Sequence, residues 1–169
     1  MPKVILVDEN DNEIGIEDKL EAHEDGGKLH RAFSIFVFND EGKILIQRRA
    51  DHKYHCPGKW ANTCCSHPKP DENVLKAAHR RIQEEMGFDC PMKELFSFQY
   101  KAEFDNGLTE KEIDHAILGK YNGNPDPNPD EVGDWKWVDP DELILDMDKN
   151  PEKYTKWFKI SINDVLKKT

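Results

Sequence analysis

The sequence lacks any long apolar run. No stretch approaches the roughly 20 consecutive apolar residues that a membrane-spanning helix needs. Met1-Pro2-Lys3 leads straight into a short apolar segment, so no secretory leader is expected. Cysteine is sparse: Cys56, Cys64, Cys65 and Cys90 form no C-x-x-C pair, and the neighbours Cys64 and Cys65 are poor partners for a structural disulfide. They read as thiols in a reducing compartment, and a cytoplasmic location is expected. Positive charge is in deficit, with 24 Lys and Arg against 34 Asp and Glu, a net charge of −10. A field of that sign does not attract nucleic acid or an anionic membrane, so neither is an expected partner. It also repels anionic ligands, so a site for one would need cations of its own. There is no internal repeat, low-complexity tract or linker, which leaves one domain spanning residues 1–169. Hydrophobic content is low at 37% and charge high at 34%, yet apolar segments recur throughout, as in a folded domain with a very polar surface.

Those segments alternate between two periods. Lys3 to Asp8 reads as a strand, Glu9 to Asn12 as a turn, and Glu17 to Glu24 as one or two helical turns broken by Gly26-Gly27. Phe33 to Phe38 and Lys43 to Gln47 read as a hairpin about Asn39-Asp40-Glu41-Gly42. Arg48, Arg49 and Lys53 follow on an expected loop. Strands are expected at Glu94 to Glu103, Leu108 to Lys120 and Trp135 to Val138, with a turn at Asp105-Asn106-Gly107 and a Pro- and Asn-rich loop at Asn122 to Asp130. Helices are expected at Asp141 to Asp148 and Pro151 to Lys168, the second with Tyr154, Trp157, Phe158, Ser161, Ile162 and Val165 on one face. Strands and helices mixed in this order imply an α/β or α+β fold around one sheet.

The middle of the chain carries the sharpest pattern. Pro68 and Pro70 hold the approach non-helical, Asp71 is a plausible N-cap, and Gly87 is a plausible stop. Between them Val74, Leu75, Ala78, Ile82 and Met86 form one apolar face. Glu85 lies at its margin with Arg81 one turn before. That spacing suits an i,i+4 pair, or a carboxylate reserved for a metal. The run Ser66-x5-Glu72-x7-Arg80-Arg81-Ile82-Gln83-Glu84-Glu85-Met86-Gly87-Phe88 resembles the Nudix box, with two departures. Ser66 stands where the box has its first Gly. Arg81 stands where it has the Glu that serves metal-assisted pyrophosphate cleavage, so a diphosphate loop remains while ordinary hydrolysis is in doubt.

Other residues carry chemistry only in combination. Glu110 and Glu112, two apart in a strand, point the same way, along with Leu108, Ala116 and Leu118. If that face is inward, two carboxylates share an apolar setting, and at least one pKa rises unless a cation intervenes. A solvated strand edge is the competing reading. His23, His30 and His67 are scattered, and each alone is most simply structural. Three imidazoles with two carboxylates would make a mixed octahedral site if folding brought them together. Cys65 lies in a Cys-Ser-His loop before a helix, where a thiol pKa can fall, although a buried structural thiol is the simpler role. Lys19, Arg49, Lys53 and Arg81 could supply the local cations. Tyr100 and Trp157 are core aromatics by default.

Taken together, the motifs His23-x6-His30-Arg31-Ala32-Phe33-Ser34, Arg48-Arg49-Ala50, Pro57-Gly58-x-Trp60-x-Asn62-Thr63-Cys64-Cys65-Ser66-His67-Pro68 and Glu110-Lys111-Glu112 resemble the type 1 isopentenyl-diphosphate Δ-isomerases, Nudix-fold enzymes of isoprenoid synthesis. The resemblance runs from about Val4 to Leu166. It implies a mixed sheet sandwiched by helices. It implies one divalent metal, Mn²⁺, Zn²⁺ or Mg²⁺, on His23, His30, His67, Glu110 and Glu112. A Mg²⁺ would bridge Glu85, the Cys65 carbonyl and a prenyl diphosphate substrate. Lys19, Arg49, Lys53 and Arg81 would contact the phosphates, and Cys65 and Glu112 would flank the alkene. Tyr100 would assist Glu112, and Trp157 would lie against the hydrocarbon. The preferred assignment makes Glu112, through Tyr100, the acid and Cys65 the base, although the sequence does not fix the direction. Two other functions compete: a divergent Nudix hydrolase, and a domain that only binds a metal or ligand.

Overall fold

The computed structural model describes residues 2–24, 26–53, 56–103 and 107–169. Asp105 and Asn106 of the expected turn lie outside the described residues. Among these residues nine strands form one mixed sheet: β1 Lys3–Val7, β2 Glu13–Asp18, β3 His30–Phe38, β4 Ile44–Arg49, β5 Trp60–Ala61, β6 Cys64–Ser66, β7 Met92–Glu103, β8 Thr109–Lys120 and β9 Val132–Val138. The helices are α1 Lys19–Ala22, α2 Val74–Met86, α3 Pro140–Lys149 and α4 Lys156–Lys167, with a 3-10 turn at Pro151–Lys153. No helix among the described residues is long and apolar enough to cross a membrane.

The centre of the sheet is β3. One edge pairs in parallel with β8 along its length, from His30↔Glu112 to Phe38↔Lys120. The other edge is shared in turn by β1 at His30, β6 at Phe33 to Ile35, and β4 at Val37 and Phe38. Beyond their turn β3 and β4 therefore diverge. β6 takes the edge of β3, and β5 and β9 pair with β4. β8 pairs with β3 and β7 along its two edges, and core layers on both sides of the sheet bury its faces, Ala116 on one and Ile117 on the other, so apolar residues occur at both parities along it.

Alternation along β3 then sorts the core into two layers. Phe33, Ile35 and Val37 pack with Ala77, Ala78, Ile82 and Met86 of α2. On the opposite face Phe36, Ile44 and Ile46 pack with Trp157, Phe158, Ile162 and Val165 of α4 and with Leu143 of α3. The sheet is thus sandwiched by helices, as expected.

Several local expectations are corrected. Glu17 and Asp18 belong to β2, not to a helix, because the antiparallel partnership Lys3↔Asp18 to Val7↔Glu13 extends the hairpin to that point. Sheet pairing outweighs local propensity here. Helix α2 is capped by Asn73, whose side chain accepts from the Lys76 N–H at 2.8 Å, while Asp71 lies two residues earlier at φ +67°. Leu75 is exposed, and Ala77 fills the buried face instead. Arg48 and Arg49 end β4, paired with Asp134 and Val132, and do not lie on a loop. The last helix begins only at Lys156, because the Thr155 N–H donates to the Trp60 carbonyl at 2.9 Å and Tyr154 bridges to Trp60.

Gly87 ends α2 at φ +74°, and a Cβ there would sit 2.1 Å from the Asp126 carbonyl oxygen. The loop after β8 is fastened at that point: Asp126 N–H donates to the Met86 carbonyl and Asn128 N–H to the Glu85 carbonyl, both at 2.9 Å.

Candidate active site

The registers of the central strands bring the scattered polar residues onto one face. Opposite His30 on β8 is Glu112, and opposite Glu112 on β7 is Tyr100. Ser34 pairs with Cys65 of β6. Glu110 and Asp114 flank Glu112 at the same parity, and all three are buried. The solvated-edge reading of Glu110 and Glu112 is excluded, since they are 7% and 5% exposed.

Three histidines converge on this carboxylate row. One nitrogen each from His23, His30 and His67 and one oxygen of Glu112 lie within 4.8 Å of one another. His30 Nε2 and His67 Nε2 are 3.2 and 2.8 Å from Glu112 Oε2 and 3.3 Å from each other. The two histidines at the start of the cluster are oriented from behind. His23 Nδ1 is 2.6 Å from the Lys19 carbonyl, and His30 Nδ1 is 2.8 Å from the Lys28 carbonyl. A carbonyl only accepts, so each Nδ1 carries its proton and each Nε2 turns a lone pair into the cluster. Lone pairs and a carboxylate facing one another repel unless a cation lies between them. Opposite ligands of a six-coordinate divalent ion at about 2.2 Å would stand about 4.4 Å apart, within the observed spread.

The electrostatics agree with that donor set. Burial lowers His23, and it lowers His67 to about 3 despite the adjoining carboxylate, so these two rings are neutral, as ligands must be. Burial pushes Glu112 up, but the adjoining His30 and His67 rings outweigh it and hold the group below the usual carboxylate range. Glu110 is raised by burial and then by the Glu112 charge. Its Oε1 is buried without a hydrogen-bond partner among the described residues, and its Oε2 stands 3.9 Å from His23 Nε2. An orphaned carboxylate oxygen beside the cluster suits a further ligand. The residues present fit a divalent metal.

A pocket of about 630 Å³ opens over this face. It is lined by Glu110, Glu112, Asp114, Cys65 and Trp157 and by Lys19, Arg49, Lys53 and Arg81. Its carboxylates are partly neutralised from within: Lys53 is 2.5 Å from Glu131, and Arg81 is 2.8 Å from Glu85 and 3.7 Å from Glu131. Glu85 is also held by Gln47, whose Nε2 donates at 2.7 Å. The Arg81–Glu85 i,i+4 pair is therefore present, and Glu85 is buried at 4% exposure. Tyr100 presents a buried hydroxyl without a hydrogen-bond partner among the described residues and meets Trp157 edge-on at 6.3 Å. Burial pushes the Cys65 thiol well up, and it stays protonated.

All of the expected site residues thus line the pocket or the histidine cluster beside it, or, for Tyr100, contact Trp157 and pair with Glu112. Four further residues were not singled out from the sequence. Asp114 continues the Glu110, Glu112 period by one more step. Ser34, at the end of the His30 motif, gives its proton to Asp114 Oδ2 at 2.8 Å. Gln47 and Glu131 had no local signal, because their partners lie 38 and 78 residues away.

The comparisons with known proteins bear on the same site. The NUDIX domain model matches residues 28–158. Isopentenyl-diphosphate Delta-isomerase 2 of Aromatoleum aromaticum is 51% identical over 97% of this chain and 86% of its own length. The family is shown at that identity and coverage. The chain belongs to the isopentenyl-diphosphate Delta-isomerase family, within the Nudix superfamily. A second isomerase, from Pectobacterium atrosepticum, is 45% identical over 95% of this chain and 89% of its own length. Among solved structures, one from Deinococcus radiodurans superposes with a TM-score of 0.81 at 18% identity, covering 96% of this chain and 98% of that one. The MutT protein from Methanosarcina mazei gives 0.66 at 20% identity, over 83% and 94%. These two share the fold. Against that Nudix frame, the isomerase-family chain keeps the box helix and places Arg81 where the box has a carboxylate.

Proposed function

We propose that this protein interconverts isopentenyl diphosphate and dimethylallyl diphosphate, moving a double bond by adding a proton at C4 and removing one from C2. The observation that carries this reading is the pocket itself: a thiol and a carboxylate row, with Lys19, Arg49, Lys53 and Arg81 among the basic residues that line it. The cations overcome, locally, the repulsion between a diphosphate and a chain of net charge −10. Arg81 and Lys53 reach the diphosphate by exchanging Glu85 and Glu131 for phosphate oxygens. An Arg in the box position supports retention of the diphosphate over its cleavage.

Protonating an unactivated alkene gives a tertiary carbocation. The site must then deliver a proton on one side, accept one on the other and exclude water. Cys65 and Glu112 are the two proton-handling groups, with Tyr100 beside Glu112. An assignment of Cys65 as base requires its thiol to lose a proton against the effect of burial. Trp157 offers a ring face to the cation, and a desolvated contact of that kind is worth about 2 kcal/mol.

His23, His30, His67, Glu110 and Glu112 would hold one divalent metal, Mn²⁺, Zn²⁺ or Mg²⁺. Glu85 and the Cys65 carbonyl would hold Mg²⁺ shared with the substrate diphosphate. When bound, these ions supply positive charge that keeps the carboxylates ionised in a dry pocket. Four free thiols among the described residues support a reducing, cytoplasmic setting. Neither nucleic acid nor membrane is a partner in this reading.

A proton NMR time course of isopentenyl diphosphate with Mg²⁺ in D₂O tests it. Dimethylallyl diphosphate carrying deuterium is the expected product. Release of phosphate or pyrophosphate without isomerisation would move the protein to the hydrolases. No change with folded, metal-loaded protein would leave a binding role.

A further inference from the structure

We infer that Asn62 is a positioning residue that locks the Cys65 thiol and the Trp157 indole into one unit, a role that rests on the reading of the pocket given above. Asn62 lies between β5 and β6 and is fully buried. An amide side chain has two N–H donors and one oxygen with two lone pairs. Here all four capacities are used. Its Nδ2 donates to the carbonyls of Ile35 at 3.0 Å and Cys64 at 3.1 Å. Carbonyl oxygens only accept, so the amide has one possible orientation, with Oδ1 facing the pocket side. That oxygen accepts from Trp157 Nε1–H at 3.1 Å and from the Cys65 thiol at 3.1 Å.

The arrangement transmits a direction. Ile35 belongs to β3 and Cys64 to β6, so the amide is fixed to the central sheet. Through Oδ1 it sets a ring that arrives on α4, an element far away in sequence. The thiol has one hydrogen and a second acceptor within reach, Ser34 Oγ, at 3.5 Å. Because Ser34 spends its own proton on Asp114, it can offer the thiol only a lone pair. The shorter contact to Asn62 sets where the S–H points. A proton-handling sulfur and a cation-facing ring must address the same five-carbon skeleton, and both are referenced to a single oxygen atom. Aspartate lacks the donors for Ile35 and Cys64, and alanine lacks the acceptor.

The test uses the metal-loaded full chain and three readouts. In the native protein, the Trp157 indole N–H, assigned with Trp157→Phe in a proton–nitrogen correlation spectrum, should lie downfield and exchange slowly. In Asn62→Ala that resonance should move upfield and the iodoacetamide alkylation rate of Cys65, read by peptide mass, should change. Turnover should fall about 100-fold, the usual cost of a displacement of about 1 Å, while KM moves less than about 3-fold. The losses in Asn62→Ala and Trp157→Phe should combine less than additively, as expected for two residues of one unit. A fast-exchanging native indole proton would overturn the inference without any variant, which covers the case in which Asn62→Ala does not fold. Native-like kcat in a folded Asn62→Ala, or fully additive losses, would also overturn it. The indole and thiol readouts need no turnover. If they respond while the unaltered protein fails to isomerise, Asn62 still clamps the two groups and the proposed activity falls instead.

Discussion

His30 and Glu112 face each other across parallel strands, with Nε2 3.2 Å from Oε2, and neither group is accessible enough for water to satisfy it. Parallel register makes this pair possible. A one-residue slip between β3 and β8 would turn the whole row of Glu110, Glu112 and Asp114 to the α2 side. The placement of the acid row therefore depends on the same strand pairing that builds the core.

Cys65→Ala should remove isomerisation by at least about a thousandfold while the fold survives. The change deletes one heavy atom, at a cost of about 1 kcal/mol. Deuterium uptake into substrate and a thermal melt check the two halves separately. Substantial turnover in a folded variant would take Cys65 out of the chemistry.

Glu112→Gln should lower both divalent metal content and turnover, because an amide oxygen replaces the anionic oxygen shared by His30 and His67. Metal analysis after dialysis, alongside the NMR assay, reads both. Unchanged values of each would remove its assigned roles.

Arg81→Glu restores the carboxylate of the Nudix box and should weaken pyrophosphate binding more than tenfold. It also sets two carboxylates against each other at the Glu85 pair, now 2.8 Å from the guanidinium, so the melting temperature should fall. Titration calorimetry with inorganic pyrophosphate tests the first effect. Equal affinity in both forms would exclude Arg81 as a phosphate contact.

After chelation of metals, stability should decline as pH falls from about 6.5 towards 3. His67 is held near 3 in the folded chain and titrates near its ordinary 6.5 when unfolded, so between those values the unfolded chain binds the extra proton. Stability attributable to this group is thus full above 6.5 and is lost on acidification. His23 shifts in the same direction. Denaturant melts across this range should show a shallower slope in His67→Gln, and an unchanged slope would contradict the neutral buried ring.

Much of this was legible in the sequence where a pattern is local. Glu110 and Glu112 share a face by parity alone, and the apolar stripe of α4 follows a helical period. The convergence of His23, His30 and His67 was not legible from spacing, since it is made by strand register and by a four-residue helix ending at Ala22. It was reached only through a family resemblance. The β2 strand was missed because its stability comes from β1 and not from its own residues. Leu75 was misplaced because a wheel shows angle but not where the sheet ends.

The junction at Gly87 gives the pocket an unusual dependence. No side chain fits there, since the backbone of the following loop already occupies the space. The same loop carries Glu131, which meets Lys53 and Arg81, and it is tied by hydrogen bonds to the residues that end α2. Helix end and loop thus behave as a single splice, and in the proposed reading the cations that would meet a diphosphate are set by a residue outside the pocket lining. Under that reading a methyl group at 87 would disturb Glu131 and its Lys53 and Arg81 partners and leave Cys65 and Glu112 as they were, so that chemistry and retention would fail separately.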